Sequence, residues 1–278
     1  MVIFSGTVCF AQPLPSLPEG AAGIAVTYPR DAGIDADPAV IFADGFETYA
    51  SASNLSARWN GGVYHHVDLV TTGTDVFAGS KSLRFRNPRQ SAELSNAVTR
   101  LVNPELDRLF VRYYSKFDTT FDVTGSSHNG SCISASYYVN GQATPGVKAD
   151  GFNKFLACFE CWRGTSADPN PGYLNVYIYH PEQRDVWGDH FFPTGKVSPW
   201  TYLPGNFGPD FVARRDTVPR LGQWYCYEFM IKANTPGARD GRIACWLDGR
   251  LIADFPNLRL RDTDTLTIDR FSLNSHIG

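Results

Sequence analysis

No stretch of this chain sustains apolar residues at helical spacing, whereas short runs alternating apolar and polar side chains recur along it. Period-two alternation belongs to strands, whose successive side chains point to opposite faces. Residues 40–46, 82–86, 109–117, 132–138, 155–162, 174–180, 224–233, 242–247 and 265–273 read this way. The segments between them are turn-rich, in a chain with 25 glycines and 18 prolines. Such a pattern restricts the fold to an all-β class, a sandwich or jelly roll of two antiparallel sheets. With 43% hydrophobic and 19% charged residues, the 278-residue chain has enough apolar material for one large core.

Residues 12–39 are rich in Pro, Gly, Ala and Asp and predict an extended arm; the folded domain is expected over 40–278. A long irregular insert, residues 181–220, interrupts the strands, and inserts of that length usually serve function. The net charge of −3 offers no basic field for nucleic acid. No run reaches membrane-spanning length. Residues 1–11 contain an apolar run ending Cys9-Phe10-Ala11 before Gln12, which reads as the remnant of a signal peptide and predicts a secreted or periplasmic protein.

Removal of such a signal would leave five of the six cysteines, an odd count. Cys158 and Cys161 are three apart in one predicted strand and therefore face opposite ways, so they are not expected to bond each other. Cys226 and Cys245 fall out of register in a predicted hairpin. Pairing otherwise stays open.

Alternation also sorts the polar side chains. Asn175, Tyr177 and Tyr179 oppose Leu174, Val176 and Ile178; Arg84 and Arg86 oppose Leu83 and Phe85; Arg112, Tyr114 and Lys116 oppose Leu109, Val111 and Tyr113. If these second faces share one surface, it presents guanidinium, ammonium, phenol and amide groups suited to an anionic, polyhydroxylated chain. The plain alternative is a solvated sheet face. The insert carries Trp187, His190, Phe191, Phe192, Trp200, Tyr202 and Phe207, which serve either as platforms for sugar rings or as the insert's own small core.

Five further stretches bear on family. YLNVYIYHPEQ (173–183) precedes WGD (187–189), and LGQWYCYEFMIKANTPGARDGRIACWLDGRLI (221–252) follows; VIFADGFETY (40–49) and GSKSLRFR (79–86) lie upstream. Over roughly residues 40–278 the chain resembles the alginate lyase and glucuronan lyase families, which share a concanavalin-like jelly roll. The resemblance implies a polysaccharide lyase that breaks a uronate chain by β-elimination. Tyr177 and Tyr179 match the family's Tyr-x-Tyr, and imply the acid or base. Where relatives carry a lysine turn, this chain reads Gly125-Ser-Ser-His128-Asn129-Gly130, and His128 is the nearest functional substitute for the lysine, a base. Relatives carry Ser and Arg where this chain has Ala157 and Phe159, while Trp162 and Arg163 remain.

The expected substrate contacts are Arg112, Lys116, Arg163, Asn129, Asn175 and Arg84, with Trp187 and Trp200 stacking on sugars. No cofactor is required by this chemistry; Asp44, Glu47 and Asp269 are candidates for a structural calcium site, or for ordinary hydrogen bonding. The partner is a polysaccharide, expected to be acidic, with neither nucleic acid nor membrane involved. Two other readings use the same residues: a non-catalytic glycan-binding module, and a glycoside hydrolase with Glu160, a carboxylate in an apolar run, as its acid. His180 alternates toward the apolar set and is expected to be a satisfied histidine.

Overall fold

The computed structural model describes residues 16–278 other than 91, 140–141, 199–206 and 209. The expected signal remnant, Cys9 and Trp200 lie outside the described residues. The strands are β1 (Gly62–Tyr64), β2 (Val67–Val70), β3 (Ser82–Phe85), β4 (Leu94–Leu106), β5 (Arg108–Ser115), β6 (Ser127–Ala135), β7 (Tyr138–Val139) and β8 (Gln142–Ala143). They continue as β9 (Phe155–Trp162), β10 (Tyr173–Tyr179), β11 (Asp189–Phe191), β12 (Val197–Ser198), β13 (Tyr225–Lys232), β14 (Gly241–Leu247), β15 (Arg250–Leu258) and β16 (Ile268–Ile277). Among the described residues, no helix is long and apolar enough to cross a membrane.

An antiparallel eight-stranded sheet runs in the order β1-β4-β16-β6-β9-β10-β11-β12 and faces a four-stranded sheet ordered β15-β14-β13-β5. The last strand therefore lies at the centre of the large sheet, between β4 and β6, as the expected jelly roll requires. Alternation drives the layering. Ile133, Phe155, Phe159, Leu174, Val176 and Ile178 project from the large sheet onto Val111, Phe229, Ile231, Ile243 and Phe255 of the small one. Each such side chain taken fully out of water is worth roughly 1.5–3 kcal/mol.

The run 40–46 forms no strand. Asp44 instead draws the Phe46 N–H (2.8 Å) and the Trp59 indole (3.0 Å) onto its carboxylate, and Phe46 turns to φ 64°. The insert is more regular than expected, since β11 and β12 extend the large sheet beyond β10. Phe191 and Phe207 join the main core between the sheets rather than stacking on sugars or forming a separate small core of the insert.

The arm crosses the outer face of the small sheet in short 3-10 turns at Ile24–Val26, Pro29–Asp31 and Ile34–Ala36. Leu17 packs on Met230, Ala244, Trp246 and Leu251. The Trp246 indole donates to Pro18 O (2.8 Å), and the Gly20 N–H donates to Gly249 O (2.9 Å).

Candidate active site

The outer face of the large sheet collects the side chains that alternate away from the core. Register places them side by side: Gly130 pairs with Glu160, Glu160 with Asn175, Cys158 with Tyr177, and Tyr177 with His190. On the other side of β6, His276 pairs with His128. The expectation that Asn175, Tyr177 and Tyr179 share a face opposite Leu174, Val176 and Ile178 matches this arrangement.

His128 sits at the centre. Its ring lies 4.2 Å from that of Tyr177, 6.0 Å from that of His190 and 5.4 Å from that of His276, measured between centroids. Its Nδ1 is 3.0 and 3.1 Å from the two oxygens of Glu160. His190, delivered by β11, packs against Tyr177 (4.8 Å) and Trp162 (4.7 Å). Its Nδ1 is 2.9 Å from Asn175 Oδ1 and 3.6 Å from Glu160. Gly130 lets the carboxylate strand come this close, because a Cβ there would stand 2.1 Å from Phe159 O.

Burial shapes the electrostatics. Glu160 is 1% exposed, and burial raises its hold on a proton while His128 opposes the rise. Burial, then facing His128, holds His190 well below the ordinary imidazole value. The same two causes push His276 down to about 4, with its Nδ1 2.7 Å from Ser95 Oγ. Burial, then neighbouring Tyr179, drives the Tyr177 phenol upward, so no cation makes it a ready base. Its hydroxyl accepts from the Gly188 N–H (3.1 Å) and meets the Tyr179 hydroxyl at 3.3 Å.

Tyr179 lies deeper. Tyr137 meets it edge-on, and the Lys154 ammonium stands 4.7 Å over its ring. Beside the tyrosines, on the same face, a disulfide joins Cys132 to Cys158, tying β6 to β9; Cys161, Cys226 and Cys245 are free and buried. Cys158 and Cys161 are thus unbonded to each other, as their spacing predicts.

Several expected contacts sit elsewhere. Arg112 and Lys116 belong to β5 and its extension, on the outer face of the opposite sheet. Arg112 holds Asp31 of the arm (2.9 Å) and Glu228 (2.7 Å), and Lys116 holds Asp75 (2.6 Å). Arg84, on the β2–β3 ribbon, pairs with Asp68. Asn129 alternates inward and accepts from Ser275 Oγ (2.6 Å). Arg163 spends its guanidinium on Asp122, Asp168 O and Ser166 O, which brace its own loop. Trp187 remains a candidate platform, 54% exposed and next to the Gly188 that touches Tyr177. Ala157 and Phe159 face the core, so polar groups lacking there take nothing from the site; the outward positions are Cys158, Glu160 and Trp162.

The three carboxylates considered for calcium are separately engaged. Asp44 is taken by Phe46, Trp59 and Tyr49, Glu47 by the N–H groups of Ser80 and Lys81, and Asp269 by Ser136 and Arg270. Among the described residues, no group of three or more His, Cys, Asp or Glu side chains is placed to hold a metal ion. His180 is satisfied by Asp189 at 3.0 Å.

Sequence reading left His276 and Trp162 without a role, placed His190 only among the insert's ring platforms or small core, and treated Glu160 only as a hydrolytic acid. Glu160 was accessible from alternation, two residues from both Cys158 and Trp162. His190 was not, because the register of a three-residue strand within an irregular insert has no sequence signature.

No protein-family model and no curated protein matches the chain. Solved structures do match. A variant of alginate lyase Aly36B with an alginate tetrasaccharide aligns over 84% of this chain and 85% of that one, at 17% identity and a TM-score of 0.56. A second variant, with a trisaccharide, aligns over 84% and 87%, at 17% identity and a TM-score of 0.53. An endo-β-1,4-glucuronan lyase from the fungus Trichoderma reesei aligns over 76% and 74%, at 14% identity and a TM-score of 0.45. The two Aly36B alignments show that this two-sheet jelly-roll fold is shared with a solved alginate lyase.

Proposed function

We propose that this chain is a secreted or periplasmic polysaccharide lyase, endo-acting on a uronate-containing glycan by β-elimination. The observation that carries the reading is the contact of His128, Tyr177 and His190 on the outer face of the large sheet, with both imidazole rings packed against the phenol ring, at 4.2 and 4.8 Å. Elimination needs a base for the proton α to the carboxylate, an acid for the leaving oxygen, and a donor for the carboxylate. Tyr177 keeps its proton and supplies the acid. The two imidazoles supply base and donor. The C–H electron pair becomes the new carbon–carbon double bond as the glycosidic C–O bond breaks, and the phenol proton goes to the departing oxygen.

The chemistry draws only on groups of the chain and calls for no cofactor. Trp187 offers a stacking face beyond Tyr177. Glu160, with both oxygens turned to imidazole nitrogens, is poorly placed for the hydrolase role. The test is an ultraviolet absorbance screen of the purified protein against alginate, glucuronan, pectate, ulvan and neutral glucans. The expected result is absorbance of an unsaturated uronate end with at least one acidic polymer. New reducing ends without absorbance would establish hydrolysis, and affinity without either would establish a binding module; both outcomes reject the lyase.

A further inference from the structure

The two imidazoles are not equivalent, and hydrogen bonding tells them apart. The Asn175 amide has its orientation set from behind, since its Nδ2 faces Tyr173 O at 3.2 Å and Glu160 O at 3.5 Å. Its Oδ1 is therefore the atom facing His190, and a carbonyl oxygen can only accept. His190 Nδ1 must carry the hydrogen at 2.9 Å. The nearby Glu160 oxygen at 3.6 Å favours the same assignment. A neutral imidazole protonated at Nδ1 has its lone pair on Nε2.

His128 stands differently. Its Nδ1 faces both oxygens of a carboxylate buried to 1% exposure. A lone negative charge in that position is costly. One proton shared by the Glu160–His128 pair removes the net charge, whichever partner holds it. In both such arrangements His128 Nε2 carries a hydrogen. An uncompensated carboxylate in the floor would also repel an acidic sugar.

We propose that His190 is the base of the elimination, through the lone pair on Nε2, and that His128, sharing a proton with Glu160, is the N–H donor to the uronate carboxylate. The assignment rests on the lyase reading and divides its roles. The groups facing the pair are Glu160 and Trp162 from β9, Asn175 and Tyr177 from β10, and His276 from β16. In the step, Nε2 of His190 takes the proton α to the carboxylate, the C–H pair forms the double bond, and Tyr177 protonates the oxygen that leaves.

Two measurements test this. Long-range proton–nitrogen NMR correlation on the unmodified protein reads the tautomer directly; the expected spectrum shows His190 protonated at Nδ1 and bare at Nε2. A spectrum with Nε2 protonated overturns the assignment without any variant. On the acidic polymer that the screen identifies, His190→Ala lowers kcat by roughly 10²–10⁴-fold, with KM within a few-fold, and added imidazole restores part of the rate. His128→Ala acts mainly on KM and is not rescued. Rescue of His128→Ala instead, or wild-type turnover by His190→Ala, reverses the roles. A wild-type protein that cleaves no uronate polymer rejects the lyase reading, while the tautomer still reports on the hydrogen-bond logic.

Discussion

Tyr177→Phe removes one oxygen atom and keeps the ring that packs against both His128 and His190. The structural cost follows from what that oxygen does. It accepts from the buried N–H of Gly188 at 3.1 Å and lies 3.3 Å from the Tyr179 hydroxyl. Without it the Gly188 donor is unsatisfied, which costs about 1–3 kcal/mol. For a domain of this size each kcal/mol lowers Tm by roughly 2–4 °C. The chemical cost is the loss of the proposed acid, roughly 10²–10⁴-fold in kcat. Tyr179→Phe is the matched control. Tyr179 is 1% exposed, sits under the Lys154 ammonium and meets Tyr137 edge-on, one alternation step further from His128. Its loss is expected to slow the reaction by less than about tenfold, because general acid catalysis needs a proton within reach of the leaving oxygen. The assay is ultraviolet absorbance of unsaturated product, with a thermal melt of each variant to confirm folding. If folded Tyr177→Phe turns over at the wild-type rate, or Tyr179→Phe is the inactive one, the acid has been misassigned.

Three other outcomes follow from the structure. Replacing both Cys132 and Cys158 by Ser opens a loop with a sequence separation of 26, and chain-entropy arithmetic puts the loss at about 3.5 kcal/mol in urea unfolding; a loss below about 1 kcal/mol contradicts the tie's structural role. Arg112→Ala cuts the half-buried pairs to Asp31 and Glu228, costing about 2 kcal/mol and exposing residues 16–39 to protease, with turnover unchanged; collapse of substrate affinity would return Arg112 to the binding surface. His276 is held neutral by burial, from an ordinary 6.5 down to about 4. Because the folded value is the depressed one, its contribution is fully present above pH 6.5 and is lost as pH falls toward about 4, amounting to about 3 kcal/mol. Denaturant melts across that window should flatten in His276→Asn, and an unchanged slope counts against the cause.

How much of this was legible depends on how cleanly each strand alternates. β9, β10, β13 and β14 carry dense apolar residues on their core face and were read within a residue or two of their ends. β4, at 13 residues the longest strand, was missed. Its inward positions include Asn96, fully buried and bonded to Arg86 O and to Asn87, so a polar residue occupies a core slot and the alternation disappears. β15 is broken in sequence by Pro256, and its pairing with β14 slips twice, so neither its length nor its register follows a simple period. The segment 40–46 failed the opposite way, since its apolar run VIFA suits a strand and Asp44 overrode it by bending the backbone around its own carboxylate.

The candidate site was half legible for a deeper reason. Alternation says which of two faces a side chain takes on its own strand; it does not say which sheet the strand joins. Tyr177 and Arg112 both oppose the core set of their strands, so sequence alone makes them neighbours. In a two-layer sandwich the outward faces of the two sheets look in opposite directions, and these residues end on opposite sides of the molecule. The guanidinium then finds its carboxylates in the arm and in β13, where it fastens the arm over the small sheet. Around His128 the outer face of the large sheet is left with imidazoles, phenols, amides and the buried Glu160 carboxylate, while its cations lie over aromatic rings, Lys154 over Tyr179 and Arg270 over Tyr138. On the proposed reading, handling an acidic sugar there falls to an N–H on His128, whose availability depends on the proton shared with Glu160, rather than to Arg112. That substitution ties substrate charge and catalytic protonation to the same three side chains, Glu160, His128 and His190, and makes the position of one proton the deciding variable for the site.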